Sequence, residues 1–497
     1  AGCAKTTTLV EAARRLSAED PRRRLLLAFN VRIKDELKLR LKNDPNWSIL
    51  TMNGLGHRTL MINSRLFNGG TLSLRADKNQ AIVGEFMTDK RVRDLVTNSI
   101  SGESNERSAM LSNVMDVMKM YGAKVGAVTP DSVADLFDRA SENRESDVTL
   151  HDKADLNRLA SLCNAMLARN LEVARVKGVI DFSDQIYLAV NYCPNPGAPW
   201  HTVMVDEMQD LSPSNVKQVL NSVGKQLVAV GDRHQSLYQF RLGTSESIEA
   251  LKASWTAKHG AMTVLPLSVT FRCPSLVVER QKDIVDVTNF RSAPSNKKGV
   301  IKFYGKNSWT FSRFLRRISK LGGTRGVILA RTNVELLVAL TLALREGITL
   351  DEISYGGRTP TIYEIQRARS HLPFRRGKDR SLVSAMAFFM HTHPEYADPK
   401  SCRALFEGFA DNLDPRTGYH KTPLTLSTVH GFKGLEADGV FLLNPGVRMG
   451  ATGCARYVAE TRTRDLLSGG DLPCHALAHS TVSLRNSVAL LCGTSVK

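Results

Sequence analysis

The chain has 497 residues, and 67 Lys plus Arg against 49 Asp plus Glu give a formal charge of +18. A composition that is 42% hydrophobic and 23% charged is ordinary for a globular protein and excludes a wholly disordered chain. No apolar run approaches the ~20 residues of a membrane span; the length predicts about three or four domains, and the excess positive charge points to a polyanion, most often nucleic acid.

The sequence opens at Ala1-Gly-Cys-Ala-Lys-Thr-Thr-Thr-Leu9, without Met or a signal peptide, so the first residues are expected to be missing. This stretch reads as the end of a P-loop, in which backbone N–H groups and a helix N-terminus cradle phosphates. Gly2, Ala4, Lys5, Thr6 and Thr7 would then bind nucleotide. Lys5 would reach the β- and γ-phosphates, and the Thr6 hydroxyl would bind Mg²⁺. The Gly usual before the Lys is Ala4 here, and alone the fragment reads equally well as a capped helix start.

Short β-rich runs follow at Leu25–Asn30, Ser48–Asn53, Thr202–Asp206, Gln226–Asp232 and Met262–Leu267. They are apolar almost throughout rather than alternating, as parallel strands buried on both faces must be. Between the second and third lies a stretch with few strand signals. Its segments Gln80–Ile100 and Glu106–Tyr121 predict helices, so it reads as a helical insertion. A second set of runs, Val300–Tyr304, Gly326–Arg331, Leu424–His430 and Gly439–Leu443, predicts a second parallel α/β sheet. It is interrupted by a segment with turn signals at Gly356-Gly357 and Asp414–Gly418 and a basic run over Arg367–Arg380.

The run Val203-Met-Val-Asp-Glu-Met-Gln-Asp210 is an apolar strand ending in paired carboxylates, as a Walker B strand requires. Asp206 would hold Mg²⁺, and Glu207 would orient and deprotonate the attacking water. An acidic turn is the plainer reading, but the next strand ends in Val230-Gly-Asp-Arg-His-Gln-Ser-Leu-Tyr-Gln-Phe-Arg241, which makes chance improbable.

Together these segments resemble the UvrD/Rep-like superfamily 1A DNA helicases, in the right order and over nearly the whole chain. Lys5-Thr6 is similar to motif I, and Leu27-Ala-Phe-Asn30 with Lys34 to motif Ia. Thr51-Met-Asn-Gly-Leu-Gly56 resembles the T-x-H-x-L-G segment with Asn53 in place of His, and Ile180-Asp-Phe-Ser-Asp-Gln185 the I-D-F-x-D element. Asp206–Asp210 is similar to motif II, Gly231–Arg241 to motif III, and Thr270-Phe-Arg-Cys-Pro274 to motif IV. Leu329-Ala-Arg-Thr-Asn333 resembles the L-x-R-x-N strand, Ser427–Glu436 motif V, and Tyr457-Val-Ala-Glu-Thr-Arg462 motif VI.

The resemblance implies an α/β fold of two RecA-like P-loop domains with parallel sheets, each carrying a mainly helical insertion. Residues 1–57 and 178–275 would form the ATP-binding domain, with insertion 58–177; residues 276–347 and 422–497 would form the second, with insertion 348–421. It implies ATP and Mg²⁺ as cofactors. Arg272 and Arg462 become arginine fingers, Gln235 a γ-phosphate sensor, Glu436 a ribose contact, and Phe271 the ring that stacks on adenine. Phe29, Asn30, Thr51, Tyr238, Phe240, Thr428 and His430 match positions that approach single-stranded DNA. The implied activity is 3′→5′ helicase or translocase action on single strands and single/double-strand junctions in repair, replication or recombination, with loading or repair proteins as further partners and no membrane.

Two other readings compete with this one. A DNA-binding relic is suggested by Ala4, but every charged catalytic position is filled. A helicase–nuclease is not expected, because the residues after Arg462 are too few for a nuclease domain. Eight scattered cysteines with no C-x-x-C pair argue against zinc or iron–sulfur binding and for reduced thiols inside a cell, in the cytoplasm or a nucleus.

Overall fold

The computed structural model describes residues 2–19, 22–144, 148–235, 245–285, 289–304, 326–330, 353–355, 424–433, 435–443 and 454–470. They divide into two compact units: an N-terminal unit of Ala4–Pro266, and a C-terminal unit in which Ala1–Cys3 join Leu267–Lys497. Both are mixed α/β with parallel sheets. No described helix is long and apolar enough to cross a membrane.

In the N-terminal unit, strands β1 (Arg24–Ala28), β2 (Trp47–Thr51), β5 (Trp200–Val205) and β6 (Val223–Ala229) form a parallel sheet in the order β2-β1-β5-β6. Leu26 is registered with Ile49 on one side and Met204 on the other. Because side chains alternate across a strand, Leu26, Ala28 and Met204 pack with Leu9, Val10 and Ala13 of helix α1 (Lys5–Glu19) and Leu37 of α2 (Val31–Arg40). Leu25, Leu27, Val203 and Val205 face the other way, onto α3 (Met52–Ile62), α10 (Pro213–Ser222) and α11 (Ser245–His259). Both faces of the central strands β1 and β5 are covered, so these two read as nearly unbroken apolar runs.

Between β2 and β5 the chain is mainly helical: α4 (Lys78–Phe86), α5 (Lys90–Ser99), α6 (Ser104–Tyr121), α7 (Pro130–Arg144), α8 (Leu156–Lys177) and α9 (Asp184–Asn191). They share one apolar core, which includes Leu60, Val96, Met115, Met166 and Leu188. The helix expected over Gln80–Ile100 is two, because Asp89 caps a new start by accepting a hydrogen bond from the Arg91 N–H. A short parallel pair, β3 (Ser73–Leu74) with β4 (Val179–Ile180), closes the segment. At Gly56 a Cβ would lie 2.2 Å from the Gln185 carbonyl oxygen, so only glycine lets α3 approach the start of α9.

The expected strand at Met262–Leu267 does not form. Residues 260–268 carry no regular structure, and Val264, Leu265 and Leu267 are exposed. Apolar sequence favours a strand only where a neighbouring strand and a packing face receive it, and among the described residues β6 ends its sheet without a further partner.

The C-terminal unit holds a six-stranded sheet in the order β11-β12-β10-β13-β14-β9. Its strands are β9 (Val300–Tyr304), β10 (Gly326–Ala330), β11 (Ile353–Tyr355), β12 (Leu424–Thr428), β13 (Ala437–Leu443) and β14 (Thr463–Gly470). A short parallel pair, β7 (Val269–Thr270) with β8 (Arg291–Ser292), flanks helix α12 (Ser275–Gln281), and helix α13 (Cys454–Glu460) leads into β14. Strand β14 was not legible, since its sequence TRDLLSGG lacks a β-branched apolar run; pairing with β13 and β9 supplies what propensity does not. Tyr238, Phe240 and the Arg367–Arg380 run lie outside the described residues.

Candidate functional site

The carboxyl ends of β1, β2 and β5 gather one constellation of the N-terminal unit. Lys5 opens α1, so its ammonium and the helix N-terminus present positive charge at the same place. The Thr6 hydroxyl donates to Asp206 Oδ2 at 2.8 Å, although the two are 200 residues apart. Asp206 continues the ladder beyond β5, donating its N–H to the Leu27 carbonyl, and its Oδ1 accepts the Glu207 N–H at 2.9 Å. Asp206 is almost fully buried. Burial and the neighbouring Glu207 carboxylate push its carboxyl up to about 6, against the pull of Thr6 and Lys5.

A hydroxyl and a carboxylate already in contact are a hard-oxygen pair suited to Mg²⁺, which takes one or two carboxylates and keeps its waters. Among the described residues no cluster of three or more His, Cys, Asp or Glu forms an all-protein metal cage.

Glu207 sits in the left-handed region at φ 53, ψ 45, a conformation that costs a non-glycine residue about 1–2 kcal/mol. What holds it there was not foreseen from sequence. Gln209, fully buried, donates from Nε2 to Glu207 Oε2 at 2.6 Å, while its Oε1 accepts the Asp232 N–H at 2.9 Å. Gln235 is buried and donates to Asp232 Oδ2 at 2.7 Å. One amide therefore ties Glu207 to the loop that carries Gln235.

On the same unit, Phe29, Met52, Asn53, Met120, Phe182 and Ile186 line a cavity of about 320 Å³, with Asp116, Asp210 and Asn215 among its polar groups. Asn53 donates from Nδ2 to the Phe182 carbonyl at 2.6 Å, and the Phe182 ring is 56% exposed. Aromatic walls around a space of this size are the features that let a flat ring stack. Asn30 and Thr51 have structural duties here: each caps a helix, accepting from Ile33 N and Gly54 N respectively. The Thr51 hydroxyl still has its own hydrogen to donate.

The C-terminal unit holds the other candidates. Gly2 lies against Thr270–Arg272: the Phe271 N–H donates to its carbonyl at 3.0 Å, and a Cβ at Gly2 would come within 2.6 Å of Thr270 Oγ1. The Phe271 ring is exposed. Arg272 Nε donates to Glu436 Oε2 at 2.7 Å, and Arg464 pairs with the other Glu436 oxygen. Arg462 is buried, its guanidinium donating to the carbonyls of Val458 and Leu435. At the end of β12 the Thr428 hydroxyl accepts the Gly431 N–H, which shapes the turn that presents His430.

A family model, UvrD/REP helicase N-terminal domain, matches residues 1–256. The chain belongs to this helicase family. A further similarity, 29% identity over 172 residues, is to a subunit of the ATP-dependent helicase/nuclease of Listeria innocua. It covers 31% of this chain and 13% of that protein, so the chain spans a small part of its relative's length.

The structure brings together Lys5, Thr6, Asp206, Glu207 and Gln235 on one unit, and Gly2, Phe271, Arg272, Glu436 and Arg462 on the other. Thr7 is exposed on the first turn of α1. Phe182 and Gln209 are the additions. Both lie inside segments that the sequence marks for this helicase family, but their roles depend on which way each side chain turns.

Ala4 carries a testable consequence. It adopts φ 58, a left-handed conformation at a position where the family usually has glycine. Ala4→Gly relieves a penalty of about 1–2 kcal/mol at a cost of about 0.4–1 kcal/mol in chain entropy. The expected result is a modest rise in thermal midpoint and ATP binding a few-fold tighter. An unchanged midpoint and unchanged affinity would show that Ala4 is unstrained.

Proposed function

We propose that the protein is an ATP-dependent helicase or translocase that moves 3′→5′ along single-stranded DNA through two RecA-like domains. In this reading 1–57 with 178–275, and 276–347 with 422–497, are the two motor domains, and 58–177 and 348–421 are their insertions. Lys5 and the α1 N-terminus bind the phosphates, while Thr6 and Asp206 hold Mg²⁺, which neutralises developing phosphate charge when bound. Glu207 takes the proton of the attacking water, and Gln235 reports the γ-phosphate. Arg272 and Arg462 supply cations to the transition state.

Phe271 stacks on adenine and Glu436 meets the ribose. Phe29, Asn30, Phe182, Thr51, Thr428 and His430 face the DNA strand, and the family likeness gives Tyr238 and Phe240 the same role. The observation that carries this reading is the Thr6–Asp206–Glu207 constellation beside an aromatic-walled cavity within one unit. Work on DNA in repair, replication or recombination, inside a cell, follows from the family likeness.

The test is an ATPase assay with and without single-stranded DNA, followed by strand separation on duplexes with a 3′ or a 5′ tail. Hydrolysis should rise on adding single strands, and only the 3′-tailed duplex should open. Binding should weaken by about tenfold or more from low to physiological salt, since basic groups displace counterions along the strand. Hydrolysis indifferent to DNA, or affinity flat with salt, would refute a backbone-tracking motor.

A further inference from the structure

The turn 181–184 is unusual in how its side chains divide. Asp181 and Asp184 point inward and are buried, whereas Phe182 between them points outward to the cavity. The inward carboxylates meet two buried lysines from helices far away in sequence. Lys78 Nζ, on α4, lies 2.6 Å from Asp184 Oδ2 and also donates to the Asn170 carbonyl. Lys119 Nζ, on α6, lies 2.6 Å from Asp181 Oδ2 and 2.8 Å from Asp184 Oδ1, and donates to Asn79 Oδ1 at 2.7 Å.

The cluster is closed by neutral donors. Asn170 Nδ2 donates to Asp184 Oδ1, and the backbone N–H groups of Asp181 and Asp184 each bond to the other residue's carboxylate. Ser183 Oγ lies 2.8 Å from Asp181 Oδ1 and 3.1 Å from Asp116 Oδ1, which in turn accepts from Asn79. Two ammonium groups face two buried carboxylates, so the interior charge balances. Burial alone would raise Asp184, but Lys119 and Lys78 outweigh it and hold its carboxyl at about 2. Burial likewise opposes charge on Lys119, yet Asp181 and Asp184 raise it above the ordinary lysine value.

An arrangement this costly to desolvate gives little stability that an apolar core would not. What it does supply is geometry. Apolar packing is non-directional, whereas bonds from two fixed ammonium groups set the position and rotation of the turn. We propose that the Lys78–Lys119–Asp181–Asp184 cluster is a positioning device through which α4 and α6 hold the 181–184 turn so that Phe182 stands over the cavity, poised to stack a nucleobase. This rests on the reading of the cavity as a place for the single strand. Its consequence is that Lys78, Asp181 and Asp184, which do not line the cavity, set the grip on the strand held there.

Losing a lysine would leave one buried carboxylate uncompensated, so the decisive variants sit at the rim. Ser183→Ala removes one hydroxyl that steadies the turn and leaves every ion pair in place; Ser183→Thr retains the hydroxyl. The probe is an oligo-deoxythymidylate carrying one 2-aminopurine, whose fluorescence is quenched on stacking. Phe182→Ala should bind it about 5- to 150-fold more weakly and lose the quenching. Ser183→Ala should bind about 2- to 10-fold more weakly with reduced quenching, with an unchanged ATP affinity, and Ser183→Thr should restore both. If Phe182→Ala weakens binding but Ser183→Ala matches the unaltered protein in affinity and quenching, the positioning role is wrong and the stacking site stands. If Phe182→Ala itself changes nothing, the cavity reading falls and the positioning role with it.

Discussion

Glu207→Gln is expected to remove DNA-stimulated hydrolysis, by about 10²–10⁴-fold from the loss of a general base, while leaving ATP and single-strand binding in place. The substitution keeps the shape of the side chain and an oxygen for the Gln209 amide, which now donates to Glu207 at 2.6 Å. What disappears is the charge that accepts a proton from water. The same charge is one reason Asp206 sits at about 6, after burial. Gln at 207 should therefore bring Asp206 down, toward full ionisation at neutral pH, and Mg²⁺-dependent ATP binding should hold or tighten. The check is a pair of measurements, hydrolysis rate and nucleotide affinity. A rate equal to that of the unaltered protein would remove Glu207 from the chemistry. Loss of both rate and affinity would mean the substitution had collapsed the turn at 207 rather than its base.

Much of the N-terminal unit was legible because its physics is local. Residues of the central strands β1 and β5 are buried on both faces, and that constraint writes itself as short apolar runs. The paired carboxylates of Asp206 and Glu207 were legible for a similar reason: a strand that delivers charge to its carboxyl end must stop being apolar there. What sequence could not show depends on partners at long range. Phe182 becomes an exposed ring only because Asp181 is drawn inward by Lys119, 62 residues away, and Asp184 by Lys78, 106 residues away. Gln209 becomes the link between Glu207 and the Asp232 loop only once β5 and β6 are side by side. Strand β14 is polar and glycine-containing, and exists because β13 and β9 offer edges on both sides. The segment before β7 shows the converse, since Val264 and Leu265 have strand-like character yet stay exposed and leave the open edge of β6 unused.

Arg462→Ala is expected to lower hydrolysis by roughly 10³–10⁵-fold, the range for a cation supplied to the phosphoryl transition state. The structure sharpens this prediction by showing what else Arg462 does. Its side chain is 2% exposed, Nε donates to the Val458 carbonyl at 3.0 Å, and a terminal nitrogen lies 3.4 Å from the Leu435 carbonyl. Its own backbone carbonyl accepts from Ala437, at the start of β13. Arg462 is therefore also a strut, satisfying one carbonyl near the end of α13 and one just before β13. Arg272 differs, because Glu436 already neutralises it at 2.7 Å and it must exchange that partner before it can serve phosphate. Two substitutions separate strut from finger. Arg462→Lys retains the charge and can donate to one carbonyl, but lacks the planar fork that spans two acceptors. A finger predicts that both Arg462→Ala and Arg462→Lys hydrolyse far more slowly, with ATP affinity nearly unchanged and the thermal midpoint of the lysine variant nearly kept. A strut predicts a thermal midpoint that falls in both variants, with a rate that recovers once the temperature is lowered enough to refill the folded state. Hydrolysis at the unaltered rate in a well-folded Arg462→Lys would remove this arginine from the transition state.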